Sequence, residues 1–342
     1  MLIVFNDILT HAPEWRMEGG VFALPFNTVL IWPMATPAGI AAFTNPKVNN
    51  QIRKMFNVWA EFLVSPASRY VLNHGKYGWF GPEASLFFPD FDETYVCDPQ
   101  APYKGFKSWD NFFTRMLRPG VRPVEAPYDN SYVNNACESS VYRIASNVKV
   151  HDQFMLKGQP YSLDNMMNFD ELVPQFAGGT VYQAFLDITH YHRWHSPING
   201  KIHKVVNIPG AFFVESPTEG GFAAPNGPDP NAPVNSLAFI TSTSTRCLIF
   251  IEADEPAIGL MCFVGVGMTD VSTCEITVVP GQVVKKGEQI GMFHFGGSTY
   301  CLVFRPQVQI EFNRAPPTGE QPATDIQYIN TVLAKVTTGN TA

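Results

Sequence analysis

Ile290-Gly291-Met292-Phe293-His294-Phe295-Gly296-Gly297-Ser298-Thr299-Tyr300-Cys301-Leu302-Val303-Phe304 is the stretch that decides how this chain is read. Two apolar, strand-like runs, Ile290 to Phe295 and Tyr300 to Phe304, flank the tetrapeptide Gly296-Gly297-Ser298-Thr299. Two readings of the tetrapeptide are open. In the first it is a flexible turn, as most Gly-Gly-Ser stretches are. In the second the chain cuts itself. The Ser298 hydroxyl attacks the Gly297 carbonyl, which no side chain shields, and the glycines permit the backbone distortion this requires. The ester so formed can undergo β-elimination, and Ser298 then becomes an N-terminal pyruvoyl group.

Working outward, the chain is β-rich from about Asn134 onward. Short β-branched and aromatic runs alternate with Gly, Pro and Asn turns: Thr180 to Thr189, Cys247 to Glu252, Gly259 to Val266, Glu275 to Val279, Tyr300 to Phe304 and Val308 to Phe312. The span Ile276 to Ile290 reads as two strands around Pro280-Gly281, then a turn at Gly287. It is similar to the hairpins of lipoyl and biotinyl carriers but lacks their acceptor lysine, so it reads as scaffold. Residues 215–235, dense in Pro, Gly and Asn, predict a surface loop, either a lid or an inert insertion.

The N-terminal third is helical. Asn45 is a good cap and Pro46 suits the first helical position. Val48, Ile52, Met55, Phe56, Trp59, Phe62 and Leu63 then recur at helical spacing. A second helix is predicted from Ser108, with Trp109, Phe112, Phe113, Met116 and Leu117 inward and Pro119-Gly120 stopping it. The expected class is α+β: a helical region, 1–125, packed on a mainly antiparallel β core, 126–342.

Composition narrows the function. A hydrophobic share of 45% over 342 residues describes a globular chain with a large core. The net charge of −7 and unclustered basic residues argue against nucleic acid as a partner. Six scattered cysteines without a Cys-x-x-Cys pair read as buried thiols in a reducing compartment, and the N-terminus does not read as a secretory signal, so a cytoplasmic location is expected. The apolar stretch Val21 to Phe43 is broken by Pro25, Asn27, Pro33 and Pro37, which favours buried helices over a membrane span. Membrane contact is not favoured.

Three of the eight histidines fall in His190-Tyr191-His192-Arg193-Trp194-His195. A polar turn, a metal site and acid–base work are all open for them. No obvious third ligand joins His190 and His192, so no metal is expected. A base histidine needs an acceptor to hold its tautomer, and Glu138, in Asn135-Ala136-Cys137-Glu138-Ser139-Ser140, is a candidate beside its plainer reading as a surface glutamate.

Together these clusters resemble the phosphatidylserine decarboxylase family of pyruvoyl enzymes. The resemblance runs from about Lys104 onward. It is carried by Phe112-Phe113-Thr114-Arg115 with Arg122-Pro123, by Lys157-Gly158-Gln159-Pro160-Tyr161-Ser162-Leu163, by Tyr191-His192-Arg193-Trp194-His195-Ser196-Pro197, and by Gly296-Gly297-Ser298-Thr299. It implies cleavage between Gly297 and Ser298, a pyruvoyl cofactor made from Ser298 in place of pyridoxal phosphate, His195 in the self-cleaving triad and His192 assisting decarboxylation through a Schiff base. The family's triad acid is an aspartate in Ser-Pro-x-Asp-Gly; the matching position here is Glu138 in Ala-Cys-Glu-Ser. Gly296, His294 and Thr299 are supporting candidates.

Ala136-Cys137-Glu138-Ser139, Ile249-Phe250-Ile251-Glu252-Ala253-Asp254 and the Gly291 to Ser298 segment look closest to the fungal aromatic amino acid (L-tryptophan) decarboxylase branch. The implied partners are a small amino acid substrate and the two cleavage chains for each other. Alternatives are a phosphatidylserine decarboxylase, a processing-dead binding protein of the same fold, and a metal-dependent hydrolase.

Overall fold

The computed structural model describes residues 2–16, 24–34, 36–151, 161–216, 231–270, 272–319 and 321–337. The helices of the first third are α1 (Leu2–Ile8), α2 (Pro25–Met34), α3 (Pro37–Phe43), α4 (Pro46–Leu63), α5 (Pro82–Ser85), α6 (Phe91–Thr94) and α7 (Trp109–Phe113). α4 begins as its sequence dictates: the Asn45 side chain accepts from the Lys47 amide, and Pro46 fills the first turn. Its inner face buries Phe56, Trp59 and Leu63.

These helices enclose an aromatic core. Trp79 and Trp109 lie 4.5 Å apart, and Phe26 packs on Phe56 at 5.4 Å and on Trp59 at 5.2 Å. In the Val21 to Phe43 stretch, Phe26, Leu30, Ile31 and Met34 turn inward, while Trp32 stays 63% exposed. No helix among the described residues is long and apolar enough to cross a membrane.

α7 starts as expected, with the Ser108 hydroxyl accepting from Asn111, but it stops at Phe113 rather than running to Pro119. The chain turns extended instead: Tyr95 bridges Leu117, and the Val96 amide donates to the Met116 carbonyl. Met116, predicted inward, is half exposed. The side chain that turns inward is Arg115.

The strands are β1 (Tyr132–Asn134), β2 (Ser140–Ser146), β3 (Thr180–Leu186), β4 (Arg193–His195), β5 (Gly200–Ile208), β6 (Arg246–Ala253), β7 (Leu260–Met268), β8 (Cys274–Ile276), β9 (Val283–Val284), β10 (Gln289–Phe293), β11 (Gly297–Phe304), β12 (Ile310–Phe312) and β13 (Val332–Val336). Every pairing between these strands is antiparallel. Seven strands form one sheet in the order β2-β3-β11-β7-β6-β5-β9; β4-β10-β8 and β1-β13-β12 form two small sheets. The architecture is α+β.

The Ile276 to Ile290 span departs from expectation. Gly281, at φ +89°, makes the turn, but β8 and β9 do not pair across it. β9 joins the large sheet beside Gly200 and Lys201, and β8 pairs with β10. One connection therefore links two sheets.

One face of the large sheet carries Tyr182, Phe263, Tyr300 and Leu302 beneath Trp194, Ile290 and Phe293 of β4 and β10. The other carries Val264, Cys301 and Val303 beneath two further helices, Leu163–Met166 and Leu237–Thr243. The helical region meets the β core at Phe295, which packs on Trp59, Trp109 and Phe113 at 5.4–5.6 Å. The tetrapeptide is thus held between an aromatic plug and a central strand.

Candidate active site

Ser298 is the second residue of β11, between two neighbouring strands, facing Leu186 of β3 and Gly267 of β7 in register. It is buried, and its hydroxyl has no hydrogen-bond partner among the described residues. An unsatisfied buried hydroxyl is an unfavourable arrangement in an ordinary core. Gly296 lies at φ +138°, in a region that a side chain disfavours. The chain bends at Phe295-Gly296, and the strand begins within the tetrapeptide, where Gly297 already pairs with Met268.

Two glycines of β7 shape the space beside this serine. A Cβ on Gly265 would meet Trp194 at 3.2 Å, and one on Gly267 would meet the Cβ of Ser272 at 2.4 Å. Registered residues share a sheet face. Ser272 therefore occupies the side-chain space next to Ser298, and the site's floor is cut to fit it. No role for Ser272 follows from the sequence. The available signal is the alternation of Gly265 and Gly267 with Val264, Val266 and Met268.

His192 is buried, its ring stacked on Phe113 with centroids 4.3 Å apart. Its Nδ1 lies 3.0 Å from the His190 carbonyl oxygen, and its Nε2 has no partner among the described residues. A carbonyl only accepts, so Nδ1 carries the proton and Nε2 is a bare lone pair. Burial, then Arg115 and His190, hold this imidazole well below the ordinary histidine value, so it is neutral.

His195 is placed by its amide, which donates to the Ala136 carbonyl at 2.9 Å. Its Nε2 lies 3.0 Å from the Tyr191 hydroxyl, and among the described residues its Nδ1 has no partner at hydrogen-bond geometry, the Gly287 backbone being the polar group that weighs on the ring. Burial pulls it down to about 4, with the Gly287 backbone opposing. It too is neutral at pH 7.

Glu138 is buried and accepts from Arg122 Nε at 2.7 Å. Arg122 also lies 4.0 Å over the Tyr328 ring. Burial raises the Glu138 carboxyl, and Arg122 opposes that rise. No hydrogen bond among the described residues joins Ser298, His192, His195 and Glu138 to one another. What brings the segments together is backbone and scaffold: the Tyr300 hydroxyl, two residues beyond Ser298, donates to Asn135 Oδ1 at 2.6 Å.

The supporting candidates separate. Thr299 faces the opposite side of the sheet, donating to the Ala184 carbonyl at 2.7 Å and accepting from Gln183 at 3.0 Å. His294 lies between Asp110 at 2.8 Å and Glu275 at 2.7 Å. Burial alone would lower it, but the two carboxylates raise it to about 9, so it is a cation at neutral pH. Among the described residues no group of three or more His, Cys, Asp or Glu could hold a metal ion. Residues 157–160 and 217–230 fall outside the described residues.

A central-strand serine after two glycines and a turn that carries two neutral imidazoles frame the site. This chain belongs to the phosphatidylserine decarboxylase family. A family model of that description matches residues 109–321, and a second, likewise described as a phosphatidylserine decarboxylase, matches residues 1–86. The family is one of pyruvoyl-dependent carboxy-lyases, and the chain is accordingly a decarboxylase.

Among its relatives is decarboxylase iboD of Amanita muscaria, 42% identical over 329 residues that cover 92% of each chain. L-tryptophan decarboxylase of Psilocybe cubensis is 39% identical over 323 residues, covering 90% of this chain and 73% of that one. The phosphatidylserine decarboxylase proenzyme of Chlamydia muridarum is 28% identical over 224 residues, 65% of this chain and 68% of its own.

Proposed function

We propose that this chain is a self-processing decarboxylase of an aromatic L-amino acid, with L-tryptophan to tryptamine as the first reaction to assay, and that Ser298 becomes its pyruvoyl cofactor. The observation that carries the reading is the buried Ser298 hydroxyl after Gly296-Gly297, unpartnered among the described residues. An identity of 39–40% to two L-tryptophan decarboxylases, against 28% to the bacterial phosphatidylserine enzyme, supports the substrate class.

In this reading the Ser298 oxygen attacks the Gly297 carbonyl carbon, and the peptide nitrogen leaves as the Ser298 amine. Loss of the Ser298 α-proton then expels the Gly297 carboxylate, which becomes a new C-terminus. The dehydroalanine left behind takes up water and releases ammonia to give the pyruvoyl group. His195, neutral and with a free Nδ1, is the base. No hydrogen bond joins it to Ser298 in the uncut chain, so the ring or the 294–298 segment moves first. Tyr191 orients that ring, and Arg193 is the charged group that weighs on it, while the Glu138 carboxylate is held by Arg122.

The finished group supplies an electron-withdrawing carbonyl for loss of carbon dioxide from an α-amine substrate. His192, excluded from water against Phe113, holds or returns a proton at Nε2.

A denaturing gel and intact mass test this. The wild-type chain should yield residues 1–297 and a 45-residue piece, 298–342, with a pyruvoyl terminus, and Ser298→Ala should stay whole. An uncut wild-type chain would sink the proposal and leave the binding-protein alternative. Turnover of phosphatidylserine in vesicles, without turnover of free aromatic amino acids, would replace the substrate class alone.

A further inference from the structure

Arg115 is a buried cation without an ion pair among the described residues. Its guanidinium lies 4.4 Å over the Tyr95 ring and 5.2 Å over Phe88. One nitrogen, Nη2, donates to the Thr189 carbonyl at 2.7 Å and to the His190 carbonyl at 2.9 Å. Burying a guanidinium without a carboxylate is unfavourable, and a structural strut would be met as well by a neutral donor. The His190 carbonyl is also the oxygen that receives Nδ1–H of His192. Arg115 and His192 thus share one acceptor.

We propose that Arg115 is a positioning residue that holds His192 in a single tautomer, with Nδ1–H committed to the His190 carbonyl and Nε2 left as a bare acceptor. The guanidinium fixes that carbonyl in place, so the ring has one orientation in which its proton is satisfied. Its charge also opposes a second proton on the ring. The charged and titratable groups that weigh on His192 are Arg115, after α7, and His190, in its own turn. α7 meets the ring with Phe113, and β10 meets its backbone through the Phe293 amide. His190 shows the contrary arrangement: its Nδ1 accepts from the Asp187 amide at 3.1 Å, so its proton sits on Nε2. Two rings two residues apart therefore carry opposite tautomers.

The functional weight of the inference rests on His192 as the proton-handling imidazole, but the tautomer is readable without turnover. The experiment is nitrogen-15 NMR of ring-labelled histidines in full-length Ser298→Ala, which cannot process. His192 is assigned by its loss in His192→Gln. His192 should show a protonated Nδ1 and an unprotonated Nε2, unchanged between about pH 5.5 and 8, with His190 showing the reverse pattern.

Arg115→Gln in the same background keeps an N–H donor and removes the charge. It should keep the tautomer and shift His192 protonation upward, though still below the ordinary histidine range, because burial is the larger cause and remains. Arg115→Met should lose the single tautomer as well. A protonated Nε2 in the parent, or ordinary titration of His192 in the parent, overturns the proposal even if both variants fail to fold. So does a folded Arg115→Gln chain with unchanged titration. Failure of the substrate reading would appear in wild-type turnover and leave these ring signals as they are.

Discussion

The Tyr191 hydroxyl and His195 Nε2 meet at 3.0 Å, while the carboxylate of Glu138 is held by Arg122 at 2.7 Å. The imidazole that the family resemblance gives to self-cleavage is thus oriented by a phenol.

Tyr191→Phe removes that partner and leaves a buried ring nitrogen unsatisfied, an effect of about 1–3 kcal/mol. Cleavage followed on a gel time course should slow by roughly tenfold, the equivalent of about 1.4 kcal/mol in the barrier. Glu138→Gln leaves Arg122 facing a neutral amide and should slow cleavage as well. A Glu138→Gln chain that cleaves at the normal rate would remove the carboxylate from activation and leave Tyr191 as the partner that matters.

Gly267→Ala tests the space around the serine. Its Cβ would lie 2.4 Å from the Ser272 Cβ and 2.6 Å from its Cα, so backbone must shift. Overpacking of this kind lowers stability by about 1–3 kcal/mol. Because the displaced residue lies beside Ser298, cleavage should slow too. Normal processing in a folded Gly267→Ala chain would show that the serine tolerates a moved neighbour.

His294 gives stability a pH dependence. Its folded value of about 9 lies above the ordinary 6.5, so the folded chain binds the extra proton more tightly. The stabilisation is complete below about pH 6.5 and is lost as pH rises through about 9. Allowing for solvent screening at Glu275, which is nearly half exposed, it is worth roughly 2 kcal/mol. Urea unfolding of Ser298→Ala with and without His294→Gln should show a gap at pH 6 that closes by pH 10. A gap that stays constant would deny His294 its charge.

Periodicity and turn chemistry made the Pro46–Leu63 helix, its Asn45 cap and the strands β3, β6, β7 and β11 legible, because each is set by residues near in sequence; β2 and β5 were not among the strands read. The extent of α7 was not, because Arg115 is drawn inward by carbonyls 74 and 75 residues away. Strand partners around Pro280-Gly281 were hidden for the same reason: a turn fixes where the chain reverses, not which edge β9 reaches. At the site, Ser298, His192, His195 and Glu138 stand out by residue type. The pairing of Glu138 with Arg122 and the folding of Ser272 back over Gly267, five residues earlier, are set by irregular chain between them, which no periodic pattern marks.

β11 lies third in a seven-stranded order, with β3 on one side and β7 on the other. A cut before Ser298 would make that interior strand the property of a separate peptide. The remainder would then be an incomplete sheet with a slot through its middle, plugged by a donated strand. Such a pair melts as one body, insensitive to dilution until it dissociates. A smaller chain lost after unfolding would leave two exposed edges facing the gap, so heat inactivation of the processed enzyme should be hard to reverse, whereas the uncut precursor keeps its strand tethered.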